Sequence, residues 1–226
     1  MIPLRDTQRS KTIPFVNYTF IGLCGLVFLY EMGLGQNLGR FIERFAIVPA
    51  DVTDMYRSRV PILAVLFTLV TSMFLHGGWL HLVGNTLYLY IFGDNVEDKL
   101  GHAGYALFYL LSGIGAGVVQ VYSGPDSQVP LIGASGAIAG VLGAYFFLYP
   151  RARILTLFPL FVFFPVFEIS AFFFLGFWFL LQFLMGYLLA GGAEAAAGGV
   201  AWWAHLGGFV AGAAMLPLFL LLRKVG

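Results

Sequence analysis

Charge is the scarcest property of this chain: 12 Lys or Arg and 11 Asp or Glu make up 10% of 226 residues, where a soluble domain carries about a quarter. That shortage excludes a water-soluble globule of this length, because it leaves long windows that only lipid or protein can surround. The formal net charge of +1 signals no charged partner, and no nucleic acid is expected. Cysteine is almost missing as well. Cys24 is the only one, so no intrachain disulfide can form, the fold must stand on packing, and Cys24 itself is expected to be a buried spectator. The four histidines, His76, His81, His102 and His205, lack the H-E-x-x-H spacing of a zinc site; no metal and no cofactor are expected. His102, next to Lys99, reads as a surface residue.

What is present is apolar: 60% of residues are hydrophobic, 29 are glycine, and the mean hydropathy is +0.88. The chain reads as an all-α, polytopic membrane helix bundle and a single domain over 1–226. Residues 1–14 hold Arg5, Arg9 and Lys11 but no apolar core, so a cleaved leader is not expected and 1–13 reads as a short N-terminal tail. Spanning helices are predicted near 14–33, 79–98, 103–123, 135–149, 170–190 and 201–222. Val60 to Leu75 is apolar but shorter than the roughly 20 residues a crossing needs. Leaving it uncrossed places Arg5, Arg9, Lys11, Lys99, Arg151, Arg153, Arg223 and Lys224 on one side, and Arg40, Arg44, Arg57 and Arg59 on the other. The positive-inside rule then predicts cytoplasmic termini and one long outer loop, 34–78, whose apolar parts lie in the interface.

Two residues do not belong in their surroundings: Ser135 in Leu131-Ile132-Gly133-Ala134-Ser135-Gly136-Ala137, and His205 in Trp202-Trp203-Ala204-His205-Leu206-Gly207-Gly208. An ionisable group inside a spanning helix costs roughly 2.5 kcal/mol or more, and so marks a functional site. Sixteen residues separate Ser135 from the basic anchor Arg151 and eighteen separate His205 from Arg223, roughly 24 and 27 Å of helix. Both helices run inward, so the two residues share one layer below the outer boundary. His81 is sixteen residues before Glu97, again roughly 24 Å, and Asn85 shares its helical face.

Each residue also has a structural explanation. A serine in a membrane helix can bond back to its own backbone, and His81 with Asn85 could simply bridge helices. The common depth favours chemistry: a nucleophile, a base and two donors placed to stabilise an oxyanion, joined by the Ser135 N–H. Gly136, Gly140 and Gly143 on one helix and Gly208 and Gly212 on the other would permit the close approach, although small faces also occur in plain packing. G-x-S-x-G is not matched, since Ala137 holds its last position, and no Asp or Glu lies at the right depth. A dyad is expected in place of a triad, with packing to orient the histidine.

These pieces resemble the rhomboid intramembrane serine proteases. The resemblance rests on Gly133-Ala134-Ser135-Gly136, on Ala204-His205-Leu206-Gly207-Gly208 with Gly212, on His76, His81 and Asn85, and on the run Gly93-Asp94-Asn95-Val96-Glu97-Asp98-Lys99-Leu100-Gly101. It implies the minimal six-helix form and cleavage of single-span transmembrane substrates near the outer side of the membrane, with the plasma membrane the expected location. Ser135 would be nucleophile, His205 general base, and His81, Asn85 and the Ser135 N–H the oxyanion site. His76, Gly133, Gly136, Glu97, Gly208 and Gly212 would be structural supports, while Phe177, Trp178 and Gln182 resemble the family's substrate gate. Beyond substrate and membrane lipid the resemblance implies no partner, and the oligomeric state is left open.

Two positions depart from the pattern. Ala139 stands where some members carry a tyrosine stacked on the histidine, and Tyr56-Arg57 is the nearest counterpart to a Trp-Arg pair in the outer loop. The rival readings are a non-catalytic rhomboid-like protein that binds membrane clients, which needs neither Ser135 nor His205, and a transporter, which the lack of charge in the last three helices disfavours.

Overall fold

The computed structural model describes residues 1–54, 61–189 and 200–225; Tyr56, Arg57 and Arg59 lie outside them. In chain order the described elements are β1 (Ile2–Asp6), α1 (Phe15–Gly33), α2 (Leu38–Phe45), α3 (Pro49–Thr53), α4 (Ile62–Thr71), α5 (Trp79–Leu100), α6 (His102–Ser123), α7 (Ser135–Leu148), β2 (Arg153–Leu157), β3 (Val166–Ser170), α8 (Ala171–Leu188) and α9 (Trp202–Val225). The six long apolar windows all become helices, with ends shifted by up to three residues. Gly101 separates α5 from α6 at φ +74°, a left-handed conformation that glycine adopts without steric cost.

This is a multi-pass membrane protein built as a helix bundle. Four helices, α1, α6, α8 and α9, are by themselves long and apolar enough to cross a bilayer. α5 forms a bent pair with α4 and the 3₁₀ turn Ser72–Phe74, at 89°. The angle explains the ambiguous apolar stretch 60–75: α4 turns sideways from the helix that follows. α2 is amphipathic, with Leu38, Phe41, Ile42 and Phe45 on one stripe and Arg40, Glu43 and Arg44 opposite. Its Phe45 ring packs on Phe67 of α4 at 5.7 Å.

α7 is the bundle's centre. Every residue from Gly136 to Tyr145 is buried, as expected of a helix that is apolar all round. At 14 residues it is only about 21 Å long, against a hydrocarbon core of about 30 Å. Its first residue, Ser135, therefore begins below the surface level of its longer neighbours.

Opposite Ser135 lies a three-stranded antiparallel sheet, in the order β1-β2-β3, which the hydropathy pattern did not reveal. β2 and β3 form a hairpin pairing Arg153 with Ser170 through Leu157 with Val166, and β1, within 1–13, adds to its edge through Ile2–Leu157 and Asp6–Ile154. Glu97 secures the same end. Fully buried, its carboxylate accepts from Val16 N at 3.1 Å, Asn17 N at 2.7 Å and His102 Nδ1 at 2.5 Å, so a side chain of α5 caps the first turn of α1. His102 is accordingly half-exposed and paired.

Asp6 anchors β1 to the bundle, accepting from the Tyr145 hydroxyl and from Asn95 Nδ2 at 3.1 Å. Burial pushes its carboxyl up from 3.8 to about 6, against the opposing pull of the Tyr145 hydrogen bond. The folded state thus holds this proton more tightly than the unfolded chain. The resulting stabilisation is complete below about pH 4 and is lost as pH rises through about 6. Asp6→Asn is expected to remove that component. Between about pH 4 and pH 7 the wild-type melting temperature should fall relative to the variant's; parallel melting curves across that range would show that Asp6 ionises in the fold without cost.

Candidate active site

Ser135, His205, His81 and Asn85 come from three different helices, α7, α9 and α5, and all line one cavity of about 910 Å³. Gly77–Trp79, Val129–Ile132 and Val200 rim it, and Trp178 of α8 forms part of its wall. The four residues grouped by helix lengths thus line one space.

The loop leading to Ser135 is fixed before the helix begins. Gly133 donates its N–H to Ser72 O at 2.8 Å, and Leu131 and Ile47 exchange backbone hydrogen bonds at 2.7 and 3.2 Å. Gly133 has φ +119°, and a Cβ there would lie 2.6 Å from His81 Nε2. Backbone conformation and space therefore both require glycine. The first helical bond of α7 runs from Ile138 N to Ala134 O at 2.9 Å, so the N–H groups of Ser135, Gly136 and Ala137 have no acceptor within the helix.

Two donors face the same region. Gly77 N–H donates to His81 Nδ1 at 3.4 Å, which leaves the proton of a neutral imidazole on Nε2. Asn85 is buried, and its Nδ2 has no hydrogen-bond partner among the described residues. Unsatisfied buried donors are rare enough to need an explanation. His76, the expected structural partner, is held by its own N–H to Glu31 Oε2 and by Nδ1 to Phe74 O, both 3.2 Å, and its ring meets His81 edge-on at 5.1 Å.

α7 and α9 approach backbone to backbone. A Cβ on Gly208 would sit 2.0 Å from Gly136 O, and one on Gly212 would sit 2.2 Å from Gly140 O. Gly136 and Gly140 face Ala116 and Ser112 of α6 as well. Where α9 starts, Ala204 N donates to Gln120 Oε1 of α6 at 3.0 Å.

Packing alone was expected to orient His205, but the structure supplies a hydrogen bond: His205 Nδ1 lies 2.7 Å from Gln182 Oε1. Trp178 and Trp202 flank the imidazole, with ring centroids 5.8 and 6.3 Å away, which are contacts Ala139 cannot make. The three residues grouped as a gate separate. Trp178 lines the cavity, Phe177 is 48% exposed and points outward, and Gln182 is buried against His205. Glu97 sits at the far end, capping α1. Glu31, Gln120 and Trp202 were not singled out from the sequence. A polar residue within an apolar helix was the available signal for the first two.

A sequence model of the Rhomboid domain matches residues 64–222, more than two thirds of the chain. This chain belongs to the rhomboid family. Among rhomboid relatives, it is 43% identical over 75 residues to Rhomboid-like protein 11, chloroplastic, of Arabidopsis thaliana, covering 33% of this chain and 26% of that one. It is 30% identical over 144 residues to Rhomboid protein 1, mitochondrial, of Saccharomyces cerevisiae, covering 61% and 38%. It is 42% identical over 76 residues to Rhomboid protease GluP of Bacillus subtilis, covering 34% and 14%. The matched regions thus span between 14% and 38% of the length of these curated relatives. Every residue of the rhomboid cavity named above, from His81 to His205, lies within the stretch that matches the domain.

Proposed function

We propose that this chain is an intramembrane serine endopeptidase that cuts single-span transmembrane proteins with a Ser135–His205 dyad. The observation that carries the reading is a buried amide donor with no partner among the described residues, Asn85 Nδ2, in a cavity shared with Ser135, His205 and His81. A donor left waiting in a prebuilt site is what stabilisation of a developing oxyanion requires.

The chemistry follows from the protons. Oε1 of Gln182 carries no hydrogen, so Nδ1 of His205 must donate to it, and Nε2 is left with a lone pair. Nε2 accepts the hydroxyl proton of Ser135 as Oγ attacks the scissile carbonyl carbon. The resulting oxyanion takes hydrogen bonds from His81 Nε2–H, Asn85 Nδ2–H and the Ser135 N–H. His205 returns its proton to the leaving amine, and a water activated by the same nitrogen hydrolyses the acyl ester. A cavity with several polar side chains on its wall offers that water a place below the level of the lipid surface.

Orientation belongs to the same proposal. The Arg223 guanidinium lies beside Gly101, Lys99 lies over the Tyr149 ring, and Arg153 is in the sheet, so these basic residues gather at the end of the bundle away from the cavity. The positive-inside rule puts that end, with both termini, on the cytoplasmic side and the cavity toward the outer side.

The test is reconstitution of the full chain in liposomes with a labelled single-span substrate and, separately, a small fluorophosphonate. Cleavage of the substrate and covalent labelling located at Ser135 by peptide mass are expected. Binding of the substrate with neither cleavage nor labelling would replace this reading with the client-binding one, and solute flux that survives Ser135→Ala would replace it with transport.

A further inference from the structure

We propose that Gln182 is the positioning residue of the site: its side-chain oxygen holds His205 in the Nδ1–H tautomer and fixes the plane of the ring, the role a buried acid has in a triad. The proposal rests on the dyad reading above. Gln182 is 6% exposed and reaches from α8 to α9, twenty-three positions along the chain, with 2.7 Å between Oε1 and Nδ1.

The amide has one sensible orientation. Its Nε2 donates to Trp178 O, one turn earlier on the same helix, at 3.4 Å, which leaves Oε1 to face the imidazole. Turned over, the amide would set Oε1 against a carbonyl oxygen and aim an N–H at Nδ1. The histidine proton would then move to Nε2, the atom that must be empty to accept a proton from Ser135. In a Ser-His-Asp site, enforcing the wrong tautomer costs about 10⁴-fold in kcat. An amide whose other end is tied down avoids that failure without placing a carboxylate inside the membrane, where a charge is expensive.

Three further contacts agree with a positioning role. Trp178 and Trp202 flank the same ring, and Gln120 Oε1 holds the backbone of Ala204, the residue before His205. Gln182 thus sets the tautomer and plane of the imidazole, the two tryptophans flank it, and Gln120 fixes the backbone beside it. A gating role would put Gln182 on the outward face, where Phe177 lies exposed; Gln182 is on the buried one.

The experiment compares wild type, Gln182→Met and Gln182→Glu in proteoliposomes. Met has similar length and no strong acceptor, while Glu keeps an acceptor oxygen. For Gln182→Met, kcat toward a single-span substrate should fall about 10²-fold with KM little changed, and the rate of Ser135 labelling by a small fluorophosphonate should fall in parallel. Gln182→Glu should restore most of both. Wild-type labelling in Gln182→Met, with altered cleavage of the transmembrane substrate alone, would overturn the proposal in favour of a gate. A second measurement needs no variant: ¹⁵N NMR of histidine-labelled wild type should report the Nδ1–H tautomer at His205, and an Nε2–H signal would overturn the proposal even if Gln182→Met does not fold. Wild-type protein that neither cleaves nor labels, yet shows the Nδ1–H tautomer, would sink the dyad and leave the Gln182 contact standing.

Discussion

If the proposed dyad operates, Ser135→Ala and His205→Ala are each expected to bring cleavage of a single-span substrate down to background, a loss on the order of 10⁴-fold or more, with the double variant no worse than either. Non-additivity is the informative part. In the proposed mechanism the hydroxyl and the imidazole act in one step, so once one is absent the other has nothing to assist. The fold should survive, because Ser135 begins α7, makes no side-chain hydrogen bond that the helix needs, and lies half-buried on a cavity wall. Ser135→Ala should melt within a few degrees of wild type. His205→Ala gives up the Gln182 bond and two tryptophan contacts, so a modest drop in melting temperature is expected there. Substantial cleavage retained by Ser135→Ala in purified protein would mean that another group performs the attack.

A larger structural effect is expected from one methyl group. Gly208→Ala places a Cβ 2.0 Å from the Gly136 carbonyl oxygen, well inside any permitted contact. The oxygen belongs to helical backbone and a Cβ is fixed by its own backbone, so neither can swing aside as the end of a side chain would. α7 and α9 must separate instead. Overpacking of this kind costs typically about 1–3 kcal/mol and sometimes more. The catalytic cost is larger, since Ser135 rides on α7 and His205 on α9, and a displacement of about 1 Å can cost about 10²-fold. Gly22→Ala is the control: a Cβ there meets nothing within 4 Å, so stability and cleavage should hold or improve slightly. Thermal unfolding and initial rates on the three proteins check this, and a Gly208→Ala variant with wild-type melting and rate would show that the two helices are not packed as closely as described.

How much could be read without the fold varies by residue. Helix positions were legible because hydropathy is a property of one segment: the window 135–149 became Ser135–Leu148 and 79–98 became Trp79–Leu100. That Ser135, His81 and His205 belong together was legible for a related reason, as rise per residue turns sequence distance into distance along a helix, and the three line one cavity. The sheet was not. β1 and β2 are separated by more than 140 residues, and the apolar hairpin around Phe161 has the same composition as a helix. Gln182 shows the same difficulty at a single position, because its polarity within an apolar helix marks it while the helix's rotation decides whether it meets lipid, substrate or His205.

Sequence by itself determined that this protein lives in a membrane, where its helices run, and which few polar residues to group, since those follow from transfer energy and a constant helical rise. Tertiary structure alone decided that β1 closes a sheet, that Glu97 caps a different helix, that α7 and α9 touch through glycines, and that the oxygen of Gln182 faces Nδ1 of His205. Those features depend on how helices rotate and approach one another, and hydrogen bonds a few ångströms long are set by that packing, which no single segment encodes.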